Sequence, residues 1–139
     1  MTTKTHISAG FALAAPLMTV HNLYLAPIII MGATFPDVDM KIGLKHRGFT
    51  HSLLCLFLAS YGLWVADRNV AIAFLLGYGS HLILDMFTMK GVKLFFPLKC
   101  SFCLKLCKTD GTFDRGLGIV SIVIICVRLI QLIQPNLQL

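Results

Sequence analysis

Four apolar stretches, residues 7–35, 52–66, 70–88 and 116–134, take up most of this 139-residue chain. A helix needs about 20 apolar residues to cross a bilayer, so the last three stretches read as membrane helices, with 52–66 short. The first is too long. As one straight helix it would run about 43 Å at 1.5 Å per residue, against a hydrocarbon core of about 30 Å. Its middle, Thr19-Val20-His21-Asn22, is polar and lies between Pro16 and Pro27. That punctuation predicts a turn, and with it a hairpin of two short helices, roughly 7–19 and 23–34. The alternative is a single tilted, kinked span. The expected fold is all-α: a polytopic membrane helical bundle, with an N-terminal helical hairpin plus three further membrane helices, in one domain over residues 1–139.

Composition agrees. Hydrophobic residues make up 57% and charged residues 13%, where a soluble domain carries about 25% charged residues. No cleavable signal peptide is expected, because Pro16, His21 and Asn22 interrupt the first apolar run. The net charge of +6 comes from twelve Lys/Arg against six Asp. No motif interleaves aromatic and basic residues, so no nucleic-acid partner is expected. Anionic lipid headgroups are the expected partners of the basic residues. Five cysteines are present. Cys55 and Cys126 lie in apolar runs and read as packing residues. Cys100, Cys103 and Cys107 form a C-x2-C-x3-C cluster, which would need a fourth ligand to hold zinc. Phe95, Phe96, Pro97 and Phe102, set among lysines, suit an amphipathic segment in the membrane plane.

Charged groups are costly in hydrocarbon, about 2.5–3.5 kcal/mol each on the gentlest scale. Three of the six acids, Asp37, Asp39 and Asp85, nevertheless sit at the ends of apolar stretches beside histidines. If the first stretch doubles back, His6, the Pro36–Asp39 segment, the His46–Ser52 segment and the His81–Asp85 segment all meet at one membrane face. A straight first helix would leave His6 about 40 Å away. The same face collects Lys4, Lys41, Lys45, Arg47, Lys90, Lys93, Lys99, Lys105, Lys108 and Arg115. By the positive-inside rule that face is cytoplasmic.

The residue types suit a metal site. His81 and Asp85, four apart on one helix face, can grip one cation, or the carboxylate can orient the imidazole. Gly77 and Gly79 would let a second backbone come close. Thr50 or Ser52 caps the following helix, which places His51 in its first turn as a ligand. His46 is a ligand or a proton-transfer group. Arg47 pairs with a substrate phosphate or with Asp37, or anchors at the interface. For Asp37 and Asp39, either one binds metal while the other steadies a histidine, or a turn brings both inward. His6 is a ligand only through the converging topology. His21 falls at the opposite turn. Asp110 and Asp114 flank Gly111 in a solvated turn from which Asp114 could reach the site.

These segments resemble a known family, the YdjM-like predicted inner-membrane metal-dependent hydrolases, some described as LexA-regulated. The resemblance rests on Thr5-His6, on Gly32-Ala33-Thr34-Phe35-Pro36-Asp37-Val38-Asp39 and on His46-Arg47-Gly48-Phe49-Thr50-His51-Ser52. It continues through Gly77-Tyr78-Gly79-Ser80-His81-Leu82-Ile83-Leu84-Asp85 and Gly91-Val92-Lys93-Leu94-Phe95-Phe96-Pro97-Leu98. It implies a bacterial inner-membrane protein with a metal-supported hydrolytic site on His6, Asp37, Asp39, His46, His51, His81 and Asp85. The cysteine-rich 100–107 segment departs from the pattern, as does Asp114, where a Glu is expected.

The expected function is a metal-dependent hydrolase at the cytoplasmic leaflet, acting on a phosphoester or other ester of a lipid or lipid-linked substrate. One or two divalent ions, zinc first with manganese or magnesium as alternatives, would sit among His6, Asp37, Asp39, His51, His81 and Asp85. Catalytic roles fall on His46, Asp39 and Arg47. Two other classes stay open: a metal-ion transporter or sensor without turnover, and a membrane scaffold. A transporter normally holds its site near the midplane, whereas these ligands gather at one face.

Overall fold

Pro16 breaks the first apolar stretch, and the chain doubles back. The computed structural model describes residues 1–41, 43, 47–98 and 100–134. Helix α1 (Thr3–Ala14) is capped by Thr2, whose hydroxyl accepts the Thr5 N–H at 3.4 Å. This cap starts the helix earlier than the apolar pattern does. The helix ends two residues before Pro16, which stands in a 3₁₀ turn, Ala15–Leu17. At the bend Asn22 accepts from Thr19 N at 2.6 Å and donates to the Leu17 carbonyl at 3.0 Å. A second 3₁₀ turn, Val20–Leu25, leads into α2 (Ala26–Thr34). Pro27 lies in the first turn of α2, where the N–H it lacks would have no helical partner. The two helices pack side by side as the predicted hairpin.

The break leaves backbone carbonyls without helical partners. Arg128, from the last helix, donates to two carbonyls at the break: its Nε to Ala15 at 3.0 Å, which also accepts from Met18 N at 3.1 Å, and a terminal nitrogen to Met18 at 2.8 Å. A cation within an apolar helix thereby finds acceptors, and the hairpin is tied to that helix.

After α2, a 3₁₀ turn (Phe35–Asp37) and the short α3 (Val38–Lys41) carry the two acids. Another 3₁₀ turn, Phe49–His51, precedes α4 (Leu53–Ala66). Ser52 is the α4 N-cap and accepts from Cys55 N at 3.2 Å. His51 therefore sits in the turn before α4, not in its first helical turn as expected. Asp67 closes the next turn by accepting from Asn69 N and Val70 N at 2.7 and 3.1 Å, and so caps α5 (Arg68–Met86).

The closest helix pair is α2 with α5. A Cβ on Gly77 would stand 2.1 Å from the Ile29 carbonyl oxygen, and one on Gly32 would stand 2.4 Å from that of Phe74. The two backbones therefore touch. Gly79, also expected at a close approach, has nothing within 4 Å of the same position. Around this contact lie Cys55, Leu56, Phe74, Tyr78 and Leu82, with Phe35 edge-on to Phe74. Toward the bend, Ala14, Met18, Ile29 and Ala73 form a second cluster.

The described residues of the next segment, 87–98 and 100–111, form a loop of turns. Phe95, Phe96 and Phe102, expected in an amphipathic segment in the membrane plane, are exposed on this loop. Val92 and Phe102 exchange both backbone hydrogen bonds, at 2.9 and 2.8 Å. The Cys103 thiol donates to the Thr88 carbonyl at 3.0 Å and Cys107 to that of Phe87 at 3.3 Å, so these cysteines pin the loop. The final helix, α6 (Thr112–Ile133), packs mainly on α1.

All regular elements among the described residues are helical. Two, α5 and α6, are long and apolar enough to cross a membrane. The sequence predicts more membrane helices, but α4 has 14 residues, α1 12 and α2 9. Almost none of α6 is covered by protein: Ile119, Val120, Ile122, Val123, Val127, Ile130 and Ile133 are exposed. An apolar face of this extent marks contact with lipid or another protein. Cys126 is exposed on this helix rather than packed, while Cys55 is buried.

Candidate metal centre

The doubling back sets α1, the 35–41 segment, the 49–51 turn and the C-terminal half of α5 around one end of the bundle. The Gly32–Gly77 contact fixes the first part of the site. It brings the end of α2, where carbonyls lack helical partners, against α5. There the Ala33 carbonyl stands 2.7 Å from Nδ1 of His81. A carbonyl only accepts, so Nδ1 carries the proton and the Nε2 of a neutral ring presents a lone pair. That Nε2 is buried without a hydrogen-bond partner among the described residues. It lies 3.6 Å from Asp37 Oδ1 and 4.0 Å from Asp85 Oδ2, too far for hydrogen bonds.

His51 completes a ring of donors. Its Nε2 is 3.8 Å from Asp37 Oδ1 and 3.8 Å from Asp85 Oδ2. Its other nitrogen, Nδ1, lies 3.4 Å from Asp39 Oδ2 and 3.2 Å from the Thr50 hydroxyl. Asp39 also accepts from the Thr50 hydroxyl at 2.8 Å and from Arg47 N at 3.2 Å. Asp37 and Asp39 thus divide their work: Asp37 faces the two Nε2 atoms and Asp39 stands behind His51. The 3₁₀ turn produces this division, which an extended segment would not.

His6 lies on the far side of His81. Their rings stack with centroids 3.7 Å apart, and His6 Nε2 is 3.3 Å from Asp85 Oδ1. Asp85 is therefore shared. Its Oδ1 also meets the Met1 α-amino group at 2.9 Å, and its Oδ2 meets Arg47 at 3.0 Å. Two donor groups result, Asp37–His51–His81 and His6–His81–Asp85, each with its ligand atoms within 4.8 Å of one another.

The donor set fits a divalent cation. Donors held about 2.0–2.1 Å from one ion in a tetrahedron stand roughly 3.3–3.5 Å apart, close to the 3.6–4.0 Å imidazole–carboxylate separations of His51 and His81 from Asp37 and Asp85. Imidazole with carboxylate suits zinc and other first-row metals. His51 and His81 are fully buried and Asp85 is 2% exposed, whereas Asp37 is 22% exposed, so the ring opens to solvent beside Asp37.

Of the residues expected here, His6, Asp37, His51, His81 and Asp85 come together. Asp39, expected as a ligand, stands behind His51. Arg47 reaches Asp85, not Asp37, and also donates to the Thr88 hydroxyl and the Gly91 carbonyl at 3.0 and 2.8 Å. His46, with Lys45 and Lys99, lies outside the described residues. Among the described residues the cysteines join no metal-holding group. His21 is exposed in the 3₁₀ turn at the bend.

Asp114 is not solvated. It is fully buried and accepts from Thr2 N at 3.0 Å and Asp110 N at 2.8 Å, while its carbonyl accepts the Thr5 hydroxyl at 3.4 Å. It thereby fastens α6 to the start of α1, next to His6. Tyr78 is a residue the sequence reading missed. Its buried hydroxyl donates to the Thr50 carbonyl and holds the turn that carries His51. Its position one turn before His81, in a helix otherwise rich in aliphatic and small residues, was the available signal.

An all-helical membrane-type bundle with a buried imidazole–carboxylate cluster at one end is the class that this fold and site define. The comparisons give the family. The family described as YdjM inner membrane protein matches residues 1–136, and the chain belongs to it. YvsG of Bacillus subtilis is 34% identical over 138 residues, covering 84% of this chain and 86% of YvsG. The inner membrane protein YdjM of Escherichia coli is 31% identical over 106 residues, covering 60% of this chain and 54% of that protein. No solved structure matches. The membership supports a place in a bacterial inner membrane.

Proposed function

We propose that this protein is a metal-dependent hydrolase, passing through the inner membrane several times, that cleaves a phosphoester or other ester of a lipid or lipid-linked substrate at the cytoplasmic leaflet. One observation supports this most: the buried Nε2 of His81, with Nδ1 committed to Ala33, faces Asp37 and Asp85 without a hydrogen bond. A lone pair opposed to two carboxylates in a largely buried pocket is repulsive, and a cation between them removes the conflict.

His51, His81, Asp37 and Asp85 would hold one ion, zinc first by donor type, with His6 available for a second. Such an ion supplies Lewis acidity, easing deprotonation of water near pH 7 and polarising a phosphoryl or carbonyl oxygen. The chain's own residues do the rest. Asp39 and Thr50 orient His51, and the Ala33 carbonyl orients His81. Arg47, fixed on Asp85, presents positive charge at the edge of the site. His6, against Asp85 Oδ1, is placed to take or give a proton at Nε2. The opening beside Asp37, at one end of the helices, admits a substrate from the headgroup level.

The test is elemental analysis of the detergent-purified protein beside His51→Ala and His81→Ala, then a phosphoesterase and lipase screen with and without chelator. We expect a stoichiometric divalent metal in the wild type, lost in both variants, and chelator-sensitive turnover. A wild type that purifies without metal and takes none up would end this reading. Bound metal without turnover would instead favour a transporter or sensor.

A further inference from the structure

We propose that a basic recess beside the metal centre, bounded by Arg47, Lys90, Gly91, Lys93 and Ser101, binds a phosphate group, that of a lipid headgroup. The idea rests on the hydrolase reading for the use made of the phosphate, but not for its binding. The recess has a volume of about 210 Å³. It meets the site through Arg47, which lines it and touches Asp85.

Three observations carry the assignment. First, the lining holds three cationic side chains and no carboxylate, and Lys90 and Lys93 make no ion pair among the described residues. Cations concentrated in a concave wall attract an anion. Second, Arg47 is fixed in place. Its backbone is left-handed, with φ 63°, and its N–H is held by Asp39. Its terminal nitrogens are taken by Asp85, Thr88 and Gly91. Its Nε is buried with no acceptor among the described residues. A guanidinium with a donor left over is a ready partner for a phosphate oxygen.

Third, the wall is packed closely on the rest of its loop and faces the membrane interface. Gly91 is also left-handed, with φ 63°, and a Cβ there would stand 2.6 Å from the Phe102 carbonyl oxygen. A side chain at 91 would therefore force the wall to shift. Phe95, Phe96, Leu98 and Phe102, on the same loop, are exposed. Apolar side chains beside lysines suit the membrane interface, which favours a headgroup over a soluble anion.

The test uses the full chain in neutral detergent, treated with chelator so that no metal contributes to phosphate binding. Calorimetric titration compares dihexanoyl phosphatidic acid, dihexanoyl glycerol and inorganic phosphate. The proteins are the wild type, Lys90→Gln/Lys93→Gln, and Lys105→Gln/Lys108→Gln, which removes the same charge outside the recess. Phosphatidic acid should bind the wild type, dihexanoyl glycerol should not, and the first variant should bind about 30-fold more weakly. The second variant should resemble the wild type. Equal binding of inorganic phosphate, lost in the first variant, would support the phosphate site and identify a soluble source.

Binding of neither phosphate compound would overturn the proposal, as would equal losses in the two variants. Thermal melting and metal content of each variant show whether a loss reflects unfolding. If Lys90→Gln/Lys93→Gln unfolds, Lys93→Gln alone replaces it, and wild-type affinity in that variant would overturn the proposal. A wild type that purifies without metal and takes none up, yet binds phosphatidic acid, would sink the hydrolase reading alone.

Discussion

Single residues decide which way each imidazole points. Asp39→Asn keeps the shape of the Asp39 side chain but removes the charge behind His51. We expect metal affinity to fall by about 10–100-fold with the fold intact, measured by competition with a chromophoric chelator. Tyr78→Phe leaves the half-buried Thr50 carbonyl without the Tyr78 donor and should cost about 1 kcal/mol in unfolding free energy, with reduced metal occupancy in the same sample. The cysteines differ in reactivity. Burial pushes the Cys107 thiol above its ordinary value, and the thiol is already committed to the Phe87 carbonyl, whereas Cys100 is exposed. Thiolate is the reactive form, so at pH 8 Cys100 should be alkylated well before Cys107, and the gap should narrow as pH rises; mass spectrometry of timed samples checks this. At this scale the sequence shows the gathered ligands well, because His and Asp at the ends of apolar stretches have few other reasons to be there. The parting of Asp37 from Asp39 was one of two alternatives in the sequence, and which acid takes which side was not legible, because it depends on the 3₁₀ turn that ends at Asp37. Nor could sequence show Ala33 fixing His81, since that contact uses only a carbonyl.

At the scale of elements, the two prolines and Asn22 were enough to show the hairpin, while Thr2 moved its start. The two glycines of α5 looked alike in sequence and differ in structure. Gly77→Ala pushes a methyl group into the Ile29 carbonyl and should destabilise by about 1–3 kcal/mol or more. Gly79→Ala meets open space and should be neutral or slightly stabilising. Paired melting curves in detergent would separate them, and equal effects would contradict the helix contact. Arg128→Leu removes the side-chain donor to the Met18 carbonyl and one of the two donors to the Ala15 carbonyl, and should lower stability by about 1–3 kcal/mol, although it makes α6 more apolar. The 87–111 loop was the least legible part. Its phenylalanines and lysines suggest a surface segment, but nothing in their order announces the Val92–Phe102 bridge or the thiol contacts that close it.

For the whole molecule, Arg47, Lys90 and Lys93 lie at the same end as the centre. If that end is cytoplasmic, a variant keeping only Cys100 should resist a membrane-impermeant maleimide in intact cells and react once they are permeabilised. Labelling in intact cells would reverse the orientation. The uneven exposure of the ring has a further effect. Asp37 is its one substantially wetted donor among the described residues, so loss and reloading of a cation should be vectorial. In sealed vesicles of uniform orientation, an impermeant chelator should strip the protein from one compartment and leave it loaded when confined to the other.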